Sequence, residues 1–441
     1  MRFSKITMRK VLLFLVTFWV VMYSNSRMLE GVMNYQIVHL FPIPRVVRIV
    51  ELVFLNFLFF LAFTTRMCKR VWLISIGTVI YILLAIFNLF FSGNLSIDGV
   101  QDIYIRAAPF LLFTIVVQGQ VASRNEIIFI VKFFSIVLLL NILAFLFLQL
   151  PKGFHEDHYA GIFEDAHLFC NVLLIFSATL FYDYLRSRKK IFFALSFTLL
   201  LISFFPSNEK VIALTLLIFL LLYIENLLGR QKILGKIGII LCIFLISFGA
   251  FKYIENKDGG ELWVRAQAMY DMFGIENIGP VIAWPMAFHE IQESSYSFLF
   301  GLGAGEYGWI AASRNVMEGK GSVHSKLFEL EFSLDNVNNA GYLFRTNTWS
   351  SLLAEYGILG FLVFICVFFS IIRGVWQFQT QDRLERNLQF AFYFTLIIII
   401  YQGFFTPYSN WSVSVLMFPT MYLAAYFHQK RKLTERSVQI G

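Results

Sequence analysis

The chain has 441 residues, of which 58% are hydrophobic, 18% aromatic and only 15% charged, with a mean hydropathy of +0.69 and a formal charge of +8. Soluble domains carry about 25% charged residues, and no soluble fold of this length has enough interior to hide so much apolar surface. A water-soluble protein is excluded, and the basic pI near 9.2 is to be explained by membrane topology, with no nucleic-acid partner implied.

A helix that crosses a bilayer needs about 20 mostly apolar residues. Windows of this kind fall, in chain order, at 11–26, 46–65, 71–92, 104–122, 127–150, 161–184, 190–206, 210–228, 235–254, 347–372, 387–405 and 411–428. They predict an all-α, polytopic membrane bundle of about twelve helices. The windows at 46 and 104 are interrupted by Arg48, Glu51 and Arg106. The first window resembles a signal peptide in position, but it has no small-residue cleavage site and many more spans follow it, so it is read as a helix.

Three parts follow from this pattern: a transmembrane bundle over 1–254, a long polar loop over 255–346, and C-terminal spans with a basic tail over 347–441. Short cytoplasmic connections retain Lys and Arg. With the N-terminus inside, the inner set begins with Arg2, Lys5, Arg9 and Lys10, continues through Arg66 to Arg70, Arg186 to Lys190 and Arg230 to Lys236, and ends with Arg373 to Arg386 and Lys430 to Arg436. Every second connection is then basic, both termini are cytoplasmic and the long loop is outside. Residues 255–345 contain 12 acids and 6 bases, a local excess of negative charge in a basic protein.

Cys68, Cys170, Cys242 and Cys366 lie in spans or on the inner side, so no disulfide framework is expected. The seven histidines are scattered, with only His155 and His158 close together, and no metal-ligand spacing is present. There is no phosphate-binding glycine loop followed by Lys-Ser/Thr. No cofactor is expected, and energy has to come from the substrate or from a gradient.

The loop carries the sharpest local signals. Leu262, Ala266, Met269 and Met272 recur at helical spacing within Glu261 to Phe273, and a second amphipathic run covers about Ile282 to Phe298, with Pro285 near its start. Helices of this type lie across the mouth of a bundle or along the interface, and a packed cap without chemistry is an equal reading. The string Phe300-Gly301-Leu302-Gly303-Ala304-Gly305 follows. Glycines at that density let backbone turn sharply and approach a ligand or another helix. No strand precedes them, so this is not a dinucleotide site.

The chain re-enters the apolar phase through Arg345-Thr346-Asn347-Thr348-Trp349, continuing to Leu352-Leu353-Ala354-Glu355-Tyr356-Gly357-Ile358-Leu359-Gly360. The pairing of a G-x-G-x-G cluster with a later L-x-x-E-x-G-I-x-G run resembles the bacterial O-antigen polymerase and O-antigen ligase superfamily. Gly161-Ile162-Phe163-Glu164-Asp165-Ala166-His167 is similar to that family's G-x-F-x-D-x-N segment, with His167 in place of Asn. Pro206-Ser207-Asn208-Glu209-Lys210 falls where the family places a Ser-Arg pair, here with Lys as the cation. The likeness covers roughly residues 155 to 375.

The resemblance implies glycosyl transfer on the outer face of a bacterial inner membrane, with a polyprenyl-pyrophosphate-linked oligosaccharide as donor and a sugar hydroxyl as nucleophile. A chain-length regulator and a flippase become candidate partners, alongside the lipid bilayer itself. Such chemistry asks for cations to neutralise the departing pyrophosphate and for a base to take the hydroxyl proton. Arg345, at the re-entry point, and Arg265, the one cation of the first loop helix, are the candidate catalytic arginines, since a guanidinium grips phosphate through two bonds. His324 is the candidate base; an ordinary solvated loop histidine is the competing reading. Arg106 and Lys210 are candidate substrate contacts, against snorkelling to the interface and a plain ion pair with Glu209 respectively. Glu164 and Asp165 either contact sugar hydroxyls or cap a helix. Gly301, Gly303, Gly305 and Asn347 complete the expected substrate-binding set, and Glu355 reads as a helix-end residue that positions the motif. Ligases of the superfamily carry histidine before the Asn of the second motif, where this chain has Thr346. That departure favours a polymerase of surface glycan over a ligase, with a lipid-linked saccharide transporter as the alternative from another class.

Overall fold

The structure is a computed structural model and describes residues 9–14, 16–17, 72–91, 97–119, 122–152, 166–206, 209–228, 283–292, 294–303, 348–403 and 411–440. Within these residues every regular element is helical, with no strand. In chain order they are α1 (Trp72–Phe91), α2 (Ile97–Gly119), α3 (Arg124–Ala144), α4 (Ala166–Ser187), α5 (Lys190–Ser203), α6 (Glu209–Leu228), α7 (Ala283–Gln292), α8 (Ser295–Phe300), α9 (Thr348–Trp376), α10 (Arg383–Gly403) and α11 (Trp411–Ile440). α3 is prolonged by a π-helical turn, Phe145–Gln149, and a 3-10 turn, Leu150–Lys152, where Pro151 withholds a backbone N–H.

Each apolar window from 71 to 228, and each from 347 onward, falls on one of these helices; the windows at 46–65 and 235–254 lie outside the described residues. Four helices, α1, α3 with its extension, α4 and α9, are long and apolar enough to cross a membrane by length and composition. α5 is a shorter apolar helix of 14 residues.

α1 shows how the sequence sorts its faces. Ile74, Ser75, Thr78, Tyr81, Ile82, Ala85, Asn88 and Leu89 are buried, a stripe at three- and four-residue spacing. Leu73, Ile80, Leu83 and Phe90 between them remain exposed, as expected of a helix whose other face meets hydrocarbon. The stripe packs on α2 and α9, and α11 packs on both of those, closing a four-helix group. Tyr81, Tyr356, Phe110 and Phe364 interlock at its centre, with ring centroids 5.0 to 5.6 Å apart.

A second group forms around α4, which contacts α5, α6, α10 and α3. Here small polar residues let backbones close up, a device suited to helices that gain nothing from the hydrophobic effect when they meet in lipid. Ser177 Oγ donates to the Ser196 carbonyl at 2.8 Å and Ser196 Oγ returns the bond to the Ser177 carbonyl at 2.8 Å.

Helix ends sort into two layers. Gln118 at the end of α2 donates to Ser75 at the start of α1; Arg124 at the start of α3 meets Asp382 before α10; Arg383 meets Asp183 near the end of α4. Those contacts mark one end of the bundle, and the basic Arg186, Arg188, Lys189, Lys190 and Arg373 occupy the helix ends of the same layer. At the opposite end lie the start of α9, the end of α1 and the glycine turn after α8.

The expected amphipathic run over Ile282 to Phe298 is two helices, not one. Ser294 stands in extended conformation, φ −145°, and its hydroxyl accepts from the Ser297 N–H, a cap that ends one helix register and starts another. The first loop helix, expected over Glu261 to Phe273, lies outside the described residues.

Candidate functional site

The two halves of the quoted motif pair meet. α8 ends at Phe300, and the turn Gly301-Leu302-Gly303 leaves it with φ of 89° at Gly301 and 120° at Gly303, a region that only glycine enters without strain. The turn lies against α9 at the point where that helix is itself broken: Gly357 has φ 63° and ψ −175°, conformational space open essentially to glycine alone. Leu302 N–H donates to the Ala354 carbonyl at 2.8 Å and Gly303 N–H to the Glu355 carbonyl at 3.2 Å. These bonds satisfy acceptors that the break in α9 releases from their own helix. A methyl group at Gly357 would stand 2.5 Å from the Gly301 nitrogen and from the Leu299 carbonyl, so both glycines are required by the same crossing.

Asn88 from α1 fastens this crossing from the side. Its amide donates to the Phe300 carbonyl at 2.5 Å and to the Glu355 carbonyl at 2.6 Å, while its Oδ1 accepts from the Tyr296 hydroxyl at 3.3 Å. One side chain thereby joins α1, α8 and α9. Ala287 and Ile291 of α7 pack on Leu353 and Ala354 from a further direction.

Arg106 on α2 points at the same node. Its guanidinium meets Glu355 at 2.6 Å, both side chains only 3% exposed, and its Cζ lies 5.0 Å from the centre of the Tyr356 ring. An unpaired charge at this depth is costly, and the pair resolves it by neutralising both partners in one place. Three residues later Pro109 removes a backbone donor within the helix. Arg106, expected to meet substrate, is engaged by Glu355; Glu355 positions the motif through its carboxylate and its carbonyl together.

Of the other expected site residues, Gly301 and Gly303 are at the node. Lys210 is at the start of α6, but its side chain lies outside the described residues, as do Arg265, His324, Arg345, Asn347, Gly305, Glu164 and Asp165. His167 opens α4. Among the described residues no group of His, Cys, Asp and Glu has the geometry of a metal site.

Sequence reading passed over Asn88, Tyr296 and Tyr356, and also Glu290, a carboxylate 7% exposed on α7. Asn88 had a readable signal: an amide inside an otherwise apolar span is retained only where it finds partners. Tyr356 had none, because a tyrosine beside Glu355 reads as ordinary helix surface.

The node joins the end of α8 and the side of α1 to the break in α9, with a cation and a carboxylate locked beneath it. No model of a known protein family matches the chain, and no characterised protein compared with it is significantly similar.

Proposed function

We propose that the chain is a bacterial inner-membrane glycosyltransferase of the O-antigen polymerase type, joining polyprenyl-pyrophosphate-linked repeat units of a surface glycan outside the cytoplasm. In this reading about twelve helices cross the membrane, the basic end of the bundle and both termini are cytoplasmic, and residues 255–346 form the outer loop. The observation that carries it is the docking of the Gly301–Gly303 turn onto the Glu355–Gly357 break. The two motifs that resemble the superfamily, 54 residues apart between Gly301 and Glu355, form one junction, and a fixed junction is what a long loop needs if its ends are to hold a reaction geometry.

Arg345 and Arg265 then serve as the cations at the departing pyrophosphate, with Lys210 at a helix mouth and His324 as the base. Arg106 keeps Glu355 and the junction in place. Glu164, Asp165 and Asn347 contact sugar.

The broken helix gives the transporter reading a specific claim, since transporters bind solutes at discontinuous helices whose free backbone groups face a cavity. Here the Ala354 and Glu355 carbonyls are already filled by Leu302, Gly303 and Asn88, which favours a scaffold over an ion site.

The test uses purified protein, lipid-linked single repeats, detergent and a chelator, without ATP. The expected product is a ladder of longer lipid-linked chains on a gel. Single repeats that persist until lipid A-core is added, and are then transferred to it, make the chain a ligase. Neither product, from folded protein and authentic substrate, supports transport.

A further inference from the structure

The turn between α4 and α5 carries four cations in five residues, Arg186, Arg188, Lys189 and Lys190, and all four residues are exposed. Arg188 is held in the left-handed region, φ 58°, alone among the described non-glycine residues. Its N–H closes α4 on the Tyr184 carbonyl at 2.7 Å. Glycine or asparagine ordinarily fills a helix-ending position of this kind, because a Cβ is strained there. Backbone conformation therefore does not account for an arginine at 188, whereas a use for its charge does. The carboxylate one turn earlier does not cancel that charge: Asp183 is buried and receives Arg383 through bonds of 2.8 and 2.7 Å. Arg186 is set apart from its neighbours, its Cζ lying 4.7 Å from the centre of the Tyr182 ring.

From this turn α5 leads away along a surface of opposite character. It packs on α4, with Ser196, Leu200 and Ser203 on its buried side. Its other side exposes Phe193, Phe197, Leu201 and Phe204, each at 45 to 51%, an apolar stripe at spacings of three and four. The Phe193 and Phe197 rings lie nearly parallel, 11° apart in plane with centroids 6.2 Å apart, and Phe193 leans on Tyr184 at 5.1 Å. Cations at one end of an exposed apolar stripe match an amphiphile with a negative head. Membrane orientation alone asks for basic residues at this end, but it does not ask for a strained backbone at one of them.

We propose that the α4–α5 turn and the α5 stripe together form a binding site for an anionic glycerophospholipid of the leaflet at the basic end. The phosphate accepts charge-assisted bonds from Arg188, Lys189 and Lys190, and an acyl chain lies along Phe193, Phe197 and Leu201. The site is separate from the glycan chemistry and does not depend on it.

The test is native mass spectrometry of the delipidated protein in detergent, titrated with dioleoyl phosphatidylglycerol and with dioleoyl phosphatidylcholine, which share their acyl chains. The first lipid bound is expected to be phosphatidylglycerol, preferred by about fivefold or more, since one cation beside an anionic lipid is worth about that factor. Arg188→Gly, which relieves the backbone, should melt no lower than the wild type and yet lose about fivefold of the preference; Lys189→Gln and Lys190→Gln added to it should remove the rest. Phe197→Ser, on the exposed stripe, should weaken both lipids alike. Arg124→Gln, at the same end of the bundle, should leave the preference unchanged, and excess glycerol phosphate, a headgroup without chains, should not displace bound lipid. No preference in the wild type, a preference kept in the folded triple variant, a lower melting temperature for Arg188→Gly or unchanged affinity in Phe197→Ser overturns the proposal. So does an equal loss in Arg124→Gln, the mark of general surface charge, or displacement by glycerol phosphate, the mark of a free-phosphate site.

Discussion

The two ends of the bundle handle charge in opposite ways. At the glycine junction a single ion pair, Arg106 with Glu355, is shut away at 3% exposure for each side chain and surrounded by backbone hydrogen bonds and aromatic rings. At the other end Arg124 and Asp382 remain open to solvent, at 53% and 33%, while the exposed cations Arg383 and Lys430 reach down to the buried carboxylates of Asp183 and Glu385. Distance is similar, 2.6 against 3.0 Å, but the energetic meaning is not. A buried pair adds little over an apolar replacement, yet losing one member strands a charge and costs about 3–5 kcal/mol. An exposed pair is worth about 0–1 kcal/mol. The deep pair therefore acts as a constraint on which structure forms, and the open pair of Arg124 with Asp382 acts as trim.

The sharpest way to break this contrast is Glu355→Ala, which leaves Arg106 buried and uncompensated. Stability of the purified protein in mixed micelles should fall by about 3–5 kcal/mol, and a second change, Arg106→Met, should recover much of it. If the single and double variants unfold alike, the pair is not the constraint described here.

Gly357→Ala tests the junction without touching charge. The new side chain has to accept φ near +63° and to displace the Gly301 nitrogen and the Leu299 carbonyl; backbone strain alone is about 1–3 kcal/mol. Limited proteolysis should show the 304–347 segment cut faster than in the wild type, with α10 and α11 intact. Wild-type cleavage would mean that the crossing relaxes easily.

The smallest effect belongs to the charged end. Arg124→Ala should change stability by less than about 1 kcal/mol. The Glu385 backbone N–H, which donates to Asp382, is the largest of the influences that hold this carboxyl below the usual aspartate range, with Arg124 assisting. Because the folded protein depresses this pKa, the contribution is fully present above about pH 4, the ordinary aspartate value, and is lost as pH falls through the folded value. A melting profile from pH 7 down to about pH 2 should show this drop in the wild type and, in Asp382→Asn, that component missing.

How much of this was legible in the sequence depends on the range of the interaction. The apolar windows give α1 to within one residue at each end and locate α4 and α9, which run on past the windows to Ser187 and Trp376, because spanning length and hydropathy are local. The glycine cluster correctly signals a close approach, but its density alone does not say whether the neighbour is a ligand or a helix; Glu355 and Gly357 supply that answer. The pairing of Arg106 with Glu355 joins residues 249 positions apart, which no local pattern records. The break at Gly357 is hidden because Ile358 and Leu359 continue the apolar period without interruption. The split after Gln292 was readable in principle, since Ser294 followed by Ser297 is cap chemistry, but apolar periodicity across it is strong enough to mask the stop.

The short helix α5 has a consequence for the lipid around it. At about 1.5 Å per residue its 14 residues rise about 21 Å, against a hydrocarbon thickness of about 30 Å. It cannot extend by sliding, because the Ser177–Ser196 bonds fix its height on α4 and the Ser203 carbonyl accepts from Cys170 at its far end. If α5 is one of the proposed spans, the mismatch has to be absorbed outside the protein: on the glycine-junction side the bilayer beside α5 would thin, bringing headgroups and water down to the helix end.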